Sequence, residues 1–225
     1  MKYQNSQISH FVVSLHNLFT KSGVVDSLKN RTIMENKIAV EIYTEYTPNP
    51  NTLKFITNQT LVEEGSVDFP SASSAESCPM VIDLFRFDFV KRVFMAANFV
   101  TVSKSEGMEW EEVSGMIKSL IKGYLEEGNP LFKETHKVIS NTAPVEGESE
   151  VVTKIKVVLD EYIRPAVEQD GGAINFESFI DGVVKVQLQG SCSGCPSSTV
   201  TLKSGIENLL KRMVPEVTEV VAEGV

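Results

Sequence analysis

The chain has 225 residues, 42% hydrophobic and 23% charged, which suits a globular protein of one large or two small domains. A formal charge of −9 argues against a nucleic-acid binder, whose footprint is a basic surface. No apolar run approaches the roughly 18 residues of a membrane helix, and an odd count of three cysteines speaks for a reducing compartment rather than a secreted disulfide framework.

The first 33 residues carry Lys2, Lys21, Lys29 and Arg31 against Asp26 alone. A basic, acid-poor start resembles an organelle transit peptide. With only one arginine, and with Met34 just before the first strand, it also reads as a dispensable extension. The sequence therefore points to the cytoplasm, with the mitochondrial matrix as the alternative if residues 1–33 are a targeting segment.

Residues 37–57 read as strand, turn, strand. "IAVEIY" is β-rich, "PNPN" at 48–51 is a turn cluster, and "LKFIT" resumes the β pattern. A loop through "EEGSVDFPSASSAE" leads to a helix that opens at Pro79, where a missing N–H costs nothing. Met80, Leu84 and Phe87 recur there at helical spacing. Residues 90–104 form a hairpin turning near Ala97 and Asn98. In the next helix Trp110, Val113, Ile117, Leu120, Ile121 and Tyr124 make one apolar face. The order is ββαββα, a sheet with helices on one side.

Periodicity stops after residue 127. "NTAPVEGESE" is polar, acidic and proline-containing, a linker by composition. Beyond it Val151, Val152, Ile155, Val158, Leu159 and Tyr162 mark an amphipathic helix expected to stop near Pro165. "AINFESFI" and "VVKVQLQ" are strands joined by Asp181-Gly182, a strong hairpin signal. A helix from about Ser197 to Met213 follows, with Leu202, Ile206, Leu209, Leu210 and Met213 as its core face, then a last strand. The expected architecture is α+β: an extension over 1–36, a ββαββα domain over 37–127, a flexible acidic linker over 128–149 and an αββαβ domain over 150–225. Each domain is small and two-layered.

The chemistry concentrates in "GSCSGCPSSTVTLKSGIENLL", residues 190–210. Cys192 and Cys195 lie between a strand and a helix. Positive partial charge at a helix N-terminus favours thiolate, which is both metal ligand and nucleophile. With glycines on either side, the two sulfurs are expected to be exposed and convergent. A structural pair fits this setting poorly. A thioredoxin-type dithiol fits the strand-to-helix junction, but the domain is short for that fold and Ser191, not an aromatic, precedes Cys192. A zinc or iron–sulfur site commonly takes four protein ligands. His10, His16 and His136 lie in extension or linker, and Cys78 sits at a helix start, where it reads as a cap-position residue. Two copies of Cys192 and Cys195 about a two-fold axis supply four thiolates, and two-fold dimers are the commonest oligomers. No nucleophile–base pair, phosphate-binding glycine loop or acid/base dyad is evident, which favours a carrier over a catalyst. A dithiol–disulfide oxidoreductase and a zinc-binding adaptor remain as alternatives.

At these residues the sequence closely resembles the NifU-like (Nfu) family of iron–sulfur cluster carriers. "RPAVEQDGG" at 164–172 with "LQGSCSGCPSSTVTLKSGIENLL" at 188–210 is similar to the family's C-terminal domain. "YTPNPNTLKFI" at 46–56, "VDFP" at 67–70, "NFVTVSK" and "WEEV" resemble its N-terminal domain. The likeness covers residues 37–225. It implies that Cys192 and Cys195 bind a labile cluster, usually [4Fe–4S] with [2Fe–2S] possible, bridging a homodimer. It also implies an upstream cluster scaffold as donor, apo iron–sulfur proteins as acceptors, and no enzymatic turnover. It assigns Cys78 no role and leaves the first domain to contact partners or the other domain. "FRFDFVKRVF" at 85–94 departs from the family, carrying Phe87-Asp88-Phe89 where a small glycine turn is usual.

Overall fold

The structure, a computed structural model, describes residues 39–133, 149–193 and 196–224, with the backbone alone at 196–199. The expected extension and most of the expected linker lie outside the described residues.

The first sheet is built from β1 (Ile42–Tyr46), β2 (Thr52–Thr57), β3 (Ser66–Phe69), β4 (Val90–Ala96) and β5 (Phe99–Lys104). They lie in the order β1-β2-β5-β4-β3, and every pairing is antiparallel. The first strand begins later than its composition suggests. Its partner β2 ends at Thr57, and the Asn58 side chain accepts from Glu41 N–H at 3.1 Å just outside the ladder. β3 falls where the sequence suggests a loop. Its four residues alternate between the two faces, Val67 and Phe69 turning toward the core, and four residues are too few to stand out as a period-two signal.

Helix α1 (Pro79–Leu84) and helix α2 (Trp110–Glu126) cover one face. Leu53, Phe55, Val67, Phe69, Val93, Met95, Val100 and Val102 point to them, with Ile117 and Ile121 of α2 on the other side of the core. Phe55 meets Trp110 edge-on at 6.5 Å between ring centroids, and the indole N–H donates to the Pro50 carbonyl at 3.0 Å. Phe87 is not on α1, which ends at Leu84. It stacks on Phe89 at 5.3 Å, so an aromatic pair occupies the connection between α1 and β4.

The second sheet contains β6 (Gly172–Ile180), β7 (Val183–Gly190) and β8 (Glu219–Gly224) in that order. β6 and β7 form the expected hairpin. Asp181 and Gly182 both have positive φ, 50° and 82°, the handedness that matches strand twist. β8 pairs with β7 in parallel, after helix α5 (Pro196–Met213) makes the crossover. The order αββαβ is as expected, but the first helix does not stop at Pro165. Helix α3 (Glu150–Val158) widens into a π turn over Leu159–Ile163, where Arg164 N–H reaches back to the Leu159 carbonyl, and resumes as α4 (Arg164–Gln169). The wider turn accommodates the proline that a regular helix would reject. Two expected core residues point outward: Tyr162, on the π turn, is 53% exposed and Met213 is 40% exposed. The α5 face is instead closed by Ile206, Leu210 and the following Val214.

The second face of the five-stranded sheet is also covered. Phe94, Ala96 and Phe99 form a separate apolar cluster with Ala173 of β6, and Ile56 packs beside it. The sheet thus lies between its own helices and the cysteine-bearing domain.

Candidate metal centre

β7 ends at Gly190, whose φ of +66° turns the chain out of the sheet, and α5 begins at Pro196. The sequence between them carries the two expected ligands. Cys192 is described; Cys195 lies outside the described residues, as do His10, His16 and His136. Among the described residues no group of three or more metal-ligating side chains converges.

The loop is tied to the turn that leads from α4 into β6. Ser191 N–H donates to the Gly171 carbonyl at 3.2 Å, and the Ser191 hydroxyl donates to the Asp170 carbonyl. Ser193 N–H closes back on the Gly190 carbonyl at 3.1 Å. Gly171 needs its φ of +80° to make this turn. Gly172 has a different task. A Cβ there would stand 2.6 Å from the Gln189 carbonyl and 2.9 Å from Cys192 Sγ. Beside the turn at Gly171, the glycine pair therefore also clears the space in which the Cys192 sulfur lies.

Cys192 is only 7% exposed and belongs to the second hydrophobic core. This corrects the expectation of an exposed sulfur: flanking glycines suggest a thiol held in the open, whereas Gly172 lets it pack inward against β6. Cys78 is where the sequence places it, at the cap position before α1 with Pro79 in the first turn. It is fully buried in the first core, and burial pushes its thiol up to about 11. It stays protonated at neutral pH, the opposite of what a metal ligand requires.

The first domain supplies groups to the loop that sequence reasoning missed. Asn49 donates through Nδ2 to the Ser191 carbonyl at 3.2 Å, while its Oδ1 accepts from Asn51 N–H at 3.0 Å within the "TPNPN" turn. Arg92 donates from Nη1 to the Ser193 hydroxyl at 2.9 Å and holds Asp68 in a two-pronged ion pair, its Nε 2.8 Å from Oδ1. Thr101 donates to the Gly171 carbonyl at 2.8 Å. The Lys54 ammonium donates to the carbonyls of Glu168 and Gln169, both at 3.1 Å, at the C-terminal end of α4, and lies 4.4 Å from the centre of the Phe99 ring. A cation there complements the negative end of the helix. Burial is the leading cause that lowers the Lys54 pKa; Glu45, Asp170 and Glu168 oppose it.

A two-layer domain with a dithiol loop at a strand-to-helix junction, joined to a sheet domain without such a loop, defines a modular thiol-bearing protein. Residues 155–221 match the family described as NifU-like domain, and residues 42–128 match that described as Scaffold protein Nfu/NifU N terminal. The chain is 39% identical to "NifU-like protein 5, mitochondrial" of Arabidopsis thaliana, over 97% of this chain and 82% of that protein. It is 43% identical to "NFU1 iron-sulfur cluster scaffold homolog, mitochondrial" of Homo sapiens, over 78% of this chain and 69% of that one. The homologue of the same name from Drosophila ananassae is 38% identical over 89% of this chain and 70% of its own length. The chain belongs to the Nfu family of NifU-like proteins.

Proposed function

We propose that the protein is an iron–sulfur cluster carrier. Cys192 and Cys195 of each of two copies hold one labile cluster, [4Fe–4S] in the working form with [2Fe–2S] as the smaller variant. The cluster is cargo: an upstream scaffold supplies it, and apo iron–sulfur proteins with fuller ligand sets receive it. The protein acts by binding and release rather than by catalytic turnover.

The observation that carries this reading is the composition of the loop itself. One chain brings a single CxxC to the end of β7, while the third cysteine is sealed in the other core. Two thiolates leave a four-ligand cluster half-held, and a second copy completes it. The names of the relatives, iron–sulfur scaffolds among them, support the same cargo. Those names also specify mitochondria. With the basic, acid-poor start of the chain, they favour the mitochondrial reading of residues 1–33 over the cytoplasmic one.

Anaerobic reconstitution with iron and sulfide, followed by native mass spectrometry, tests the proposal. The expected product is a dimer carrying one cluster, lost in Cys192→Ala and in Cys195→Ala. A full cluster on Cys192→Ala overturns it. A monomer with no iron and a Cys192–Cys195 disulfide would favour dithiol exchange instead.

A further inference from the structure

We infer that the first domain contributes a positioning residue to the metal centre: Asn49 fixes the peptide that joins Ser191 to Cys192, the first of the two proposed ligands. The inference rests on the carrier reading for its purpose. Ser191 is 2% exposed, so each of its polar groups needs a partner inside the protein. Its own domain provides two of them. The N–H donates to the Gly171 carbonyl at 3.2 Å, and the hydroxyl donates to the Asp170 carbonyl. The Ser191 carbonyl takes its partner from the first domain: Asn49 Nδ2 donates to it at 3.2 Å across a separation of 142 residues. That carbonyl and the Cys192 N–H share one rigid peptide plane. Holding the carbonyl therefore sets the plane from which the Cys192 side chain departs. Cys192 is packed by the core of its own domain, so Asn49 acts on the direction of the ligand and not on its exposure.

Asn49 is built to present that donor. Pro48 and Pro50 stand on either side of it in "TPNPN". Neither has an N–H, and Pro50 disfavours helical backbone at Asn49. The Asn49 N–H donates to Thr47 Oγ1 at 3.2 Å, and the Asn49 carbonyl accepts from the Thr52 N–H at 2.9 Å. Its Oδ1 accepts from the Asn51 N–H at 3.0 Å, which leaves Nδ2 to face Ser191. The residue is 7% exposed. A buried amide whose other polar atoms are satisfied within its own turn, and whose donor meets the peptide before a ligand, orients that ligand from the outer shell. Thr101, 1% exposed, adds a second tie from the same sheet. Its hydroxyl donates at 2.8 Å to the Gly171 carbonyl that also accepts the Ser191 N–H. A motif that otherwise reads as a bare turn thus gains a task at a cysteine in the other domain.

Asn49→Asp and Asn49→Ser in the full chain test this. Both replacements keep an acceptor for the Asn51 N–H, so both preserve the turn. The first has no donor to offer Ser191, and the second is too short to reach it. In the metal-free wild type, nuclear Overhauser contacts between the Asn49 amide protons and the backbone protons of Ser191 and Cys192 are expected; their absence overturns the proposal. After anaerobic reconstitution with iron and sulfide, both variants should release iron to a chelator about tenfold faster than wild type, with an altered visible circular dichroism spectrum. A turn that merely supports the fold would lower the urea midpoint and leave that spectrum alone. Wild-type spectra and release rates in both variants overturn the positioning role. So does a change confined to Asn49→Asp, which would be an effect of its added charge. If one variant fails to fold, the other decides together with the wild-type contacts. If the wild type takes up no iron, the carrier reading falls, while the metal-free contacts and the Cys192 amide shift in the two variants still decide whether Asn49 fixes this peptide.

Discussion

Gly172 and Cys192 are interlocked: the hydrogen of the one stands where a methyl group would press to 2.9 Å from the sulfur of the other. The same methyl would meet the Gln189 carbonyl at 2.6 Å, and backbone of a paired strand yields little. Gly172→Ala should therefore push the Cys192 loop away from β6. We expect a loss of about 1–3 kcal/mol in urea unfolding, the usual cost of overpacking. Iron uptake on reconstitution should fall sharply. Normal uptake with normal stability would show that the loop does not depend on this cradle.

Arg92 and Asp68 form an ion pair whose side chains are 12% and 5% exposed. Removing one member of such a pair strands the other's charge. Arg92→Met is expected to destabilise the chain by roughly 3–5 kcal/mol, read as a drop in the denaturation midpoint. The double variant Arg92→Met, Asp68→Leu should recover much of that loss. If it is no better than the single variant, the cost lies in the contact with Ser193 and not in the stranded carboxylate.

Glu207 joins α5 to β8, accepting from Lys211 Nζ at 2.6 Å and from Val220 N–H at 3.2 Å. The Lys211 hydrogen bond, then the Val220 N–H, hold its carboxyl below the ordinary 4.5. Between its folded and unfolded values the unfolded chain binds more protons, so stability rises with pH across that window. The contribution is present above about pH 4.5 and is lost as pH falls through the depressed folded value. Chemical denaturation of wild type and Glu207→Gln from pH 7 to pH 3 should give midpoints that converge on the acid side. A gap of constant size would refute the linkage.

Cys78 offers a contrast with the loop. Its thiol fills a position in the first core and is held protonated by burial. Cys78→Ala should cost about 1 kcal/mol, as for the loss of a small buried group, and leave iron uptake on reconstitution unchanged. A fall in iron at unchanged stability would give this thiol a part in loading.

Much of this is legible from residues alone. The Asp181-Gly182 turn, the face of α2 from Trp110 to Ile121, the place of Cys78 at a helix start and the αββαβ order all follow from local chemistry, and each is present. What escapes depends on contacts between distant residues. Phe94 and Phe99 read simply as hairpin residues, although "VFMAANFV" runs apolar where a half-exposed strand should alternate. That run is the available sign that both faces of the sheet are covered. No local pattern marks Arg92 as a neighbour of Ser193, or Lys54 as the cap of a helix 114 residues away. The burial of Cys192 is hidden for a related reason: Gly172 acts by lacking a side chain, and it sits on another strand.

The strand order of the first sheet has a consequence for how the chain is made. β1 and β2 join the rest only through β5, with Ile56 opposite Phe99. A ribosome delivers residues 42–57 first, so this hairpin must wait, its apolar edge unpartnered, until residue 104 has emerged. Contacts of such long sequence span form slowly and leave strands open to wrong partners in the interval. The hairpin that later lends Asn49 to the cysteine loop and Lys54 to the end of α4 is thus the part of the first sheet that waits longest for its strand partner.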